Sequence, residues 1–294
     1  AAGRGRPHRR ELQVSLLRRL LRREIGLLAF IPALRPRPFL VLRHAGQCRY
    51  AGQRIVSVVV FMLAFPAAAF ATNCYVIAAA PGEECLVVDP GIGVLPTLQE
   101  IFREHRLRPA AVLLTHGHLD HVYSVTPVCQ GETPAVVPAY VHQDDRYRLT
   151  DPITYLDPAI VAAFEQQFGA KASWTEPSEI VTLGDKESVS VAGIDLTTLH
   201  APGHTEGSVM FGIEAVPDGI PADLDRTMIT GDVIFAGSIG RTDLHGGSDA
   251  AMRRSLRDVV YPLPDTTLLL PGHGPATTME RERASNPFLR GFGA

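Results

Sequence analysis

Four side chains able to bind a metal fall within six residues, in the segment Thr115-His-Gly-His-Leu-Asp-His121. They are His116, His118, Asp120 and His121, and three more candidates, His204, Asp232 and His273, follow in short glycine-containing turns. Five imidazoles and two carboxylates can hold two metal ions side by side. An alternating His-x-His pair can point at one ion from a loop, while Asp120 and His121 turn toward another. Nitrogen and oxygen donors suit zinc or another borderline divalent ion, and the cysteine-rich set of a closed structural zinc site is missing. Packing such groups together without an ion is unfavourable, because they repel and lose water. The chemistry this implies is metal-assisted hydrolysis. Two divalent ions about 3.5–4 Å apart can share a water and bring its pKa toward neutrality. Asp232 would offset charge between the cations, and Asp120 would orient the nucleophile. A thioester suits such a site, since the departing thiolate ligates metal well and needs no strong general acid.

These residues have to be carried on ordered elements. Strand patterns at Thr72–Ala79 and Cys85–Asp89 flank Pro81-Gly82 and predict a hairpin closed off by Asp89-Pro90-Gly91. Leu95–His105 has helical spacing, and Ala110–Thr115 reads as a buried strand delivering the histidine cluster at its carboxyl end. Tyr140–Ala170 reads mainly as helix broken at Asp151-Pro152. Short strands are expected at Glu179–Leu183, Ser188–Val191, Ile194–Leu199, Val209–Ile213, Arg226–Ile229 and Thr267–Leu270, with a helix near Ala250–Val260. His204, Asp232 and His273 then each follow a strand end, where ligands collect in layered folds. The pattern predicts an α+β fold with sheets packed face to face and helices outside.

Charge divides the chain. Residues 1–54 hold 13 arginines against Glu11 and Glu24, a balance of +11; the rest has 15 basic and 29 acidic residues, or −14, which together give the net −3. The head, with a possible basic amphipathic helix at Leu12–Ile31, is expected to be a flexible or non-catalytic extension, and residues 62–294 the catalytic domain. The acidic body argues against nucleic acid as a partner. The apolar run Ile55–Phe70 is interrupted by Pro66 and is shorter than the roughly 18–20 residues of a membrane span, so no transmembrane segment is expected. Cys48, Cys74, Cys85 and Cys129 form no Cys-x-x-Cys pair, which predicts a reducing, cytoplasmic setting.

Thr115-His-Gly-His-Leu-Asp-His121, Ala201-Pro-Gly-His204, Gly231-Asp232 and Pro271-Gly-His273 together resemble the metallo-β-lactamase superfamily, and within it the compact glyoxalase II-like (hydroxyacylglutathione hydrolase-like) branch. The resemblance covers about 62–294 and implies a four-layer αβ/βα sandwich with the site at one edge. It implies two Zn2+ ions, the first held by His116, His118 and His204, the second by Asp120, His121 and His273, with Asp232 bridging. It also implies a small-molecule thioester as substrate. The typical members continue into a helical region that helps to bind glutathione, whereas 21 residues follow His273 here. Gly237–Leu244 and Asn286–Leu289 are similar to the shorter branch. A mononuclear Fe2+ persulfide dioxygenase, using His116, His204 and Asp232, is the main alternative. The remaining alternatives are a nuclease, a β-lactamase (whose best-known dinuclear forms carry cysteine at the position of Asp232) and a metal-binding scaffold without activity.

Removing residues 1–54 should leave a folded, metal-binding domain. Loss of cooperative unfolding in the shortened protein would show instead that the head is part of that domain.

Overall fold

The computed structural model describes residues 60–131, 136–156, 158–168, 173–221 and 223–292. The basic extension 1–54, its amphipathic segment and Cys48 lie outside the described residues.

β1 (Phe61–Pro66), β2 (Asn73–Ala78), β3 (Glu84–Val88), β4 (Arg108–Leu113), β5 (Ala139–His142) and β6 (Ile180–Leu183) form a six-stranded sheet in that spatial order. The second sheet draws on β7 (Ser188–Val191), β8 (Ile194–His200), β9 (Val209–Ile213) and β10 (Arg226–Gly231). After a small hairpin of β11 (Ile234–Phe235) and β12 (Ser238–Ile239), the chain returns to it with β13 (Thr267–Pro271) and β14 (Thr277–Thr278). The spatial order of the second sheet is β14-β13-β10-β9-β8-β7.

Side-chain alternation explains how these sheets stack. Along β2, Tyr75 and Ile77 point one way and Cys74, Val76 and Ala78 the other, and all are buried. The first set joins Leu86, Val88 and Leu113 against Val209, Phe211, Ile229 and Leu270 of the second sheet. The second set, with Val87 and Val112, packs under α1 (Leu95–His105) through Leu98 and Ile101. On the far side, Met210, Met228 and Leu269 meet the helix Asp249–Ser255, its π-helical continuation Leu256–Val260, and the helix Met279–Ser285. The layers therefore run helix, sheet, sheet, helix: the four-layer αβ/βα sandwich. Among the described residues no helix is long and apolar enough to cross a membrane.

The hairpin of β2 and β3 is antiparallel as expected, with Tyr75 opposite Val88 and Ile77 opposite Leu86. α1 spans the predicted residues; a proline lies in its first turn and Arg106 ends it in a left-handed conformation. It connects β3 to β4, which pair in parallel. Tyr140–Ala170 departs from expectation. Ala139–His142 is a strand, because it pairs with β4 and its alternate residues Ala139 and Val141 fill the core under the helices. Short apolar runs do not by themselves distinguish strand from helix. Two 3-10 turns follow, Gln143–Leu149 and Pro152–Tyr155, before the helix Pro158–Phe168. His142 is consequently buried at a strand end.

Phe211 is fully buried between the sheets. Phe211→Ala should lower unfolding free energy by about 3–5 kcal/mol in denaturant titration. A loss under about 1 kcal/mol would mean that the inter-sheet core collapses around the cavity.

Candidate metal centre

All seven singled-out side chains lie just beyond the carboxyl ends of four strands. His116 and His118 follow β4, and Asp120 and His121 open the short helix α2 (Leu119–Val122). His204 follows β8, Asp232 follows β10, and His273 follows β13. The two sheets are stitched together at this edge. Val209 N donates to Thr115 O (2.9 Å) and Asn73 N to Gly272 O (2.7 Å), while the Tyr75 hydroxyl donates to Pro271 O (2.6 Å).

The side chains form two clusters. His118 Nδ1 lies 3.1 Å from His116 Nε2 and 2.9 Å from His204 Nε2. In the second cluster, His273 Nε2 lies 3.3 Å from both His121 Nε2 and Asp120 Oδ2, and the latter two are 3.5 Å apart. Asp232 faces both, with Oδ2 at 3.5 Å from His204 Nε2 and from His273 Nε2, and Oδ1 at 3.5 Å from His121 Nε2. Donor atoms around one tetrahedral ion with bonds of about 2.0–2.1 Å stand about 3.3 Å apart. The observed spacings suit that geometry.

The remote ring nitrogens fix which nitrogen carries the proton. Thr115 Oγ1 spends its hydrogen on Asp89 Oδ2 (2.6 Å), so it accepts from His116 Nδ1 (3.1 Å) and leaves His116 Nε2 as a lone pair. His204 Nδ1 donates to Arg241 O (2.8 Å), His121 Nδ1 to Asp89 Oδ2 (2.9 Å) and His273 Nδ1 to Phe70 O (3.2 Å). Each therefore presents Nε2 inward, the arrangement that orients metal-binding imidazoles. Thr72 Oγ1 similarly holds Asp120 Oδ2 at 3.0 Å. Two of these supports involve left-handed backbone, at Asp89 (φ 48°) and at Phe70 (φ 61°). Such strain persists where the surroundings enforce it.

The electrostatics of the clusters differ. Burial, then neighbouring imidazoles, hold His116 and His118 well below the usual histidine range. Burial also opposes charge on His121, but Asp120, Asp232 and Asp89 outweigh it and push its pKa up to about 10. His273 is raised against burial by Asp232 and Asp120. Asp120 is half-buried, which opposes its charge, but His121 and His273 hold it well below the usual carboxylate range. Asp232 Oδ1 is buried without a hydrogen-bond partner, an orphan acceptor that a cation would satisfy. The donor set thus fits a metal. Gly272 is required here for space: a Cβ on it would collide with Asp232 Oδ1 and crowd the His121 ring.

Several groups beside the clusters have other roles. A Cβ on Gly117 would strike the stem of Arg148, so the space it leaves accommodates that side chain. Arg241 and Asp243 form a bidentate pair (2.7 and 2.8 Å), but it is exposed, with side chains 38% and 68% accessible. His200 is not in either cluster; its Nε2 donates to Glu206 O (2.8 Å). His142, Asp144 and His200 bring three donor atoms within 4.8 Å of one another. The two rings, however, stack at 3.9 Å with planes only 13° apart, so their in-plane lone pairs cannot converge on one ion. The loops that carry Arg148 and His245 meet: Arg148 Nη2 donates to His245 O (2.8 Å), and the Tyr155 and His245 rings lie 4.8 Å apart. The sequence reading missed the supports Thr72, Phe70 O and Asp145. An acidic pair beside arginine just after a buried strand was the available signal for Asp145.

Residues 67–273 match the metallo-beta-lactamase superfamily, and the chain belongs to that superfamily. An uncharacterised protein of Mycobacterium tuberculosis (strain H37Rv) is 44% identical over 78% of this chain and 97% of its own length. The hydroxyacylglutathione hydrolase GloC of Haemophilus influenzae is 31% identical over 76% of this chain and 95% of its own. Among solved structures, the B3 metallo-beta-lactamase BLEG-1 is 31% identical with a TM-score of 0.63, covering 79% of this chain and 100% of that one. TTHA1623 in a di-iron-bound form is 29% identical with a TM-score of 0.59, covering 77% and 99%. Family and clusters together make this a metal-dependent hydrolase by fold and site.

An ion entering between Asp120, His121 and His273 must displace the proton on His121, whereas His116 and His118 are already neutral. Zinc uptake at that second position should strengthen from about pH 6 to about pH 8, by about tenfold per unit for each proton displaced. Uptake between His116, His118 and His204 should change much less. Calorimetry in buffers of different ionisation enthalpy measures the protons released, and equal release in both steps would contradict the assignment.

Proposed function

We propose that this protein is a dinuclear zinc hydrolase of small acyl thioesters. The observation that carries this reading is the placement of Asp232 between two separately supported triads, one carboxylate oxygen equidistant from His204 and His273. In it, His116, His118 and His204 hold the first ion, Asp120, His121 and His273 the second, and Asp232 bridges. When bound, such a pair supplies a water of lowered pKa and polarises a carbonyl oxygen. Asp232 offsets the charge between the two positions. Asp120, kept in place by Thr72, orients the nucleophilic water toward the acyl carbon. The likeness to GloC, named for hydroxyacylglutathione hydrolysis, supports a hydroxyacyl thioester as substrate. Buried, free Cys74, Cys85 and Cys129 accord with a reducing, cytoplasmic setting.

A single-iron centre built from His116, His204 and Asp232 would leave Asp120, His121 and His273 assembled, each supported from outside, with no ion to hold. That favours two positions over one. The likeness to a di-iron protein makes metal identity the first measurement.

The purified protein should hold close to two zinc ions per chain and release thiol from a hydroxyacyl thioester. Chelation should stop the reaction and zinc restore it. Asp232→Ala should lower turnover by about a hundredfold or more and weaken the second ion, while Asp232→Cys should keep part of the metal with poor turnover. Dioxygen consumption by the iron-loaded protein with glutathione persulfide, while the zinc form leaves thioesters intact, would overturn the reading. Faster opening of a lactam ring than of any thioester would do the same.

A further inference from the structure

The carboxylate of Asp145 is completely buried, yet it belongs to neither cluster. Four donors converge on it. Oδ2 accepts from Gly117 N and Thr205 Oγ1, both at 2.8 Å, and Oδ1 accepts from Gly207 N at 2.8 Å and Arg148 Nε at 3.2 Å. Gly117 lies between His116 and His118, and Thr205 and Gly207 follow directly on His204. One side chain therefore clamps together the two loops that carry the whole first triad. The fit is close, since a Cβ on Gly207 would overlap Asp145 itself and one on Gly117 would overlap the Arg148 stem. Arg148 extends the clamp outward. Its Nη2 donates to Glu206 Oε2 (2.6 Å) and to His245 O (2.8 Å). His245 belongs to the same loop as Arg241, whose carbonyl accepts from His204 Nδ1.

The second triad is held by other means. Thr72 fixes Asp120, the Phe70 carbonyl fixes His273, and Asp89 fixes His121. Of these supports only Asp89 also reaches toward the first triad, through Thr115. Among the described residues no hydrogen bond joins Asp145 to Asp120, His121 or His273.

We propose that Asp145 is a positioning residue for the first metal position alone, so that the two positions, which share Asp89 as a support, can still be weakened one at a time; this rests on the dinuclear reading. An Asp145→Asn side chain keeps the shape but turns an N–H group toward donors, leaving a buried donor unsatisfied and loosening the two loops. Thr72→Val removes the support of Asp120 only.

The test titrates the metal-free full chain with zinc against a competing chelator and resolves two binding steps, assigned with His118→Ala and His273→Ala. Asp145→Asn should weaken the first-position constant by about ten- to a hundredfold and leave the second within about threefold. Thr72→Val should show the reverse split. Thr205→Val, which deletes one of the four bonds, should produce a smaller loss in the first step, and it stands in if Asp145→Asn does not fold. Equal weakening of both steps by Asp145→Asn or Thr205→Val, or of neither, overturns the proposal while leaving the dinuclear reading intact. A parent protein that binds fewer than two zinc ions overturns that reading and this proposal with it.

Discussion

Everything at the sheet edge depends on hydrogen bonds made by the outward-facing nitrogens of the histidines. Five imidazoles and two carboxylates gathered in a buried place could adopt many mutually hydrogen-bonded arrangements. Asp89, Thr115, Arg241 O and Phe70 O remove that freedom by engaging the far side of four of the five rings, those of His121, His116, His204 and His273. What remains directed inward is the Nε2 of each of those rings, the atom that takes either a proton or an ion. The fold is organised around supplying those four supports at fixed distances from one another. Two of them are paid for in backbone strain, at Asp89 and Phe70, where ordinary side chains sit in left-handed geometry.

Much of this was legible in the sequence, for a definite reason. The inward-facing donors are distinguished by residue type, and Thr115-His-Gly-His-Leu-Asp-His121 contains little else. Of the strands carrying them, β13 is buried on both faces and β8 alternates buried with exposed residues, and either pattern bounded by glycine or proline marks a strand. The strand Ala139–His142 is too short to show a period in the sequence, and its pairing with β4 and β6 is what identifies it. The supports were harder still. A backbone carbonyl such as that of Phe70 carries no residue signature. Asp145 and Arg148 lie in a run of charged residues inside the stretch that reads as helix, and nothing in that run marks either as buried, although both are. Their burial is a property of the loops closing over them, which only the assembled fold reveals.

Arg148 illustrates how such buried charge is tolerated. Its guanidinium contacts Asp145, Glu206 and the His245 carbonyl, and lies 5.1 and 5.5 Å from the Tyr147 and Tyr155 ring centres. Pairing a fully buried cation with a fully buried anion limits the desolvation penalty that either would suffer alone. One guanidinium nitrogen, Nη1, nevertheless has no partner. The cation is thus held by aromatic faces as well as by hydrogen bonds.

The donors come from both sheets: β4 lies in one, while β8, β10 and β13 lie in the other. An ion seated among them is consequently a cross-link between the two halves of the sandwich, closing a loop that runs through most of the domain's sequence. Cross-links of long loops act chiefly on the unfolded chain, whose freedom they curtail, and a ligand bound only by the native state shifts the folding equilibrium in its favour. The centre is then a fastener for the architecture as much as a place for chemistry, and the supply of metal becomes one of the conditions that set how long the folded molecule persists.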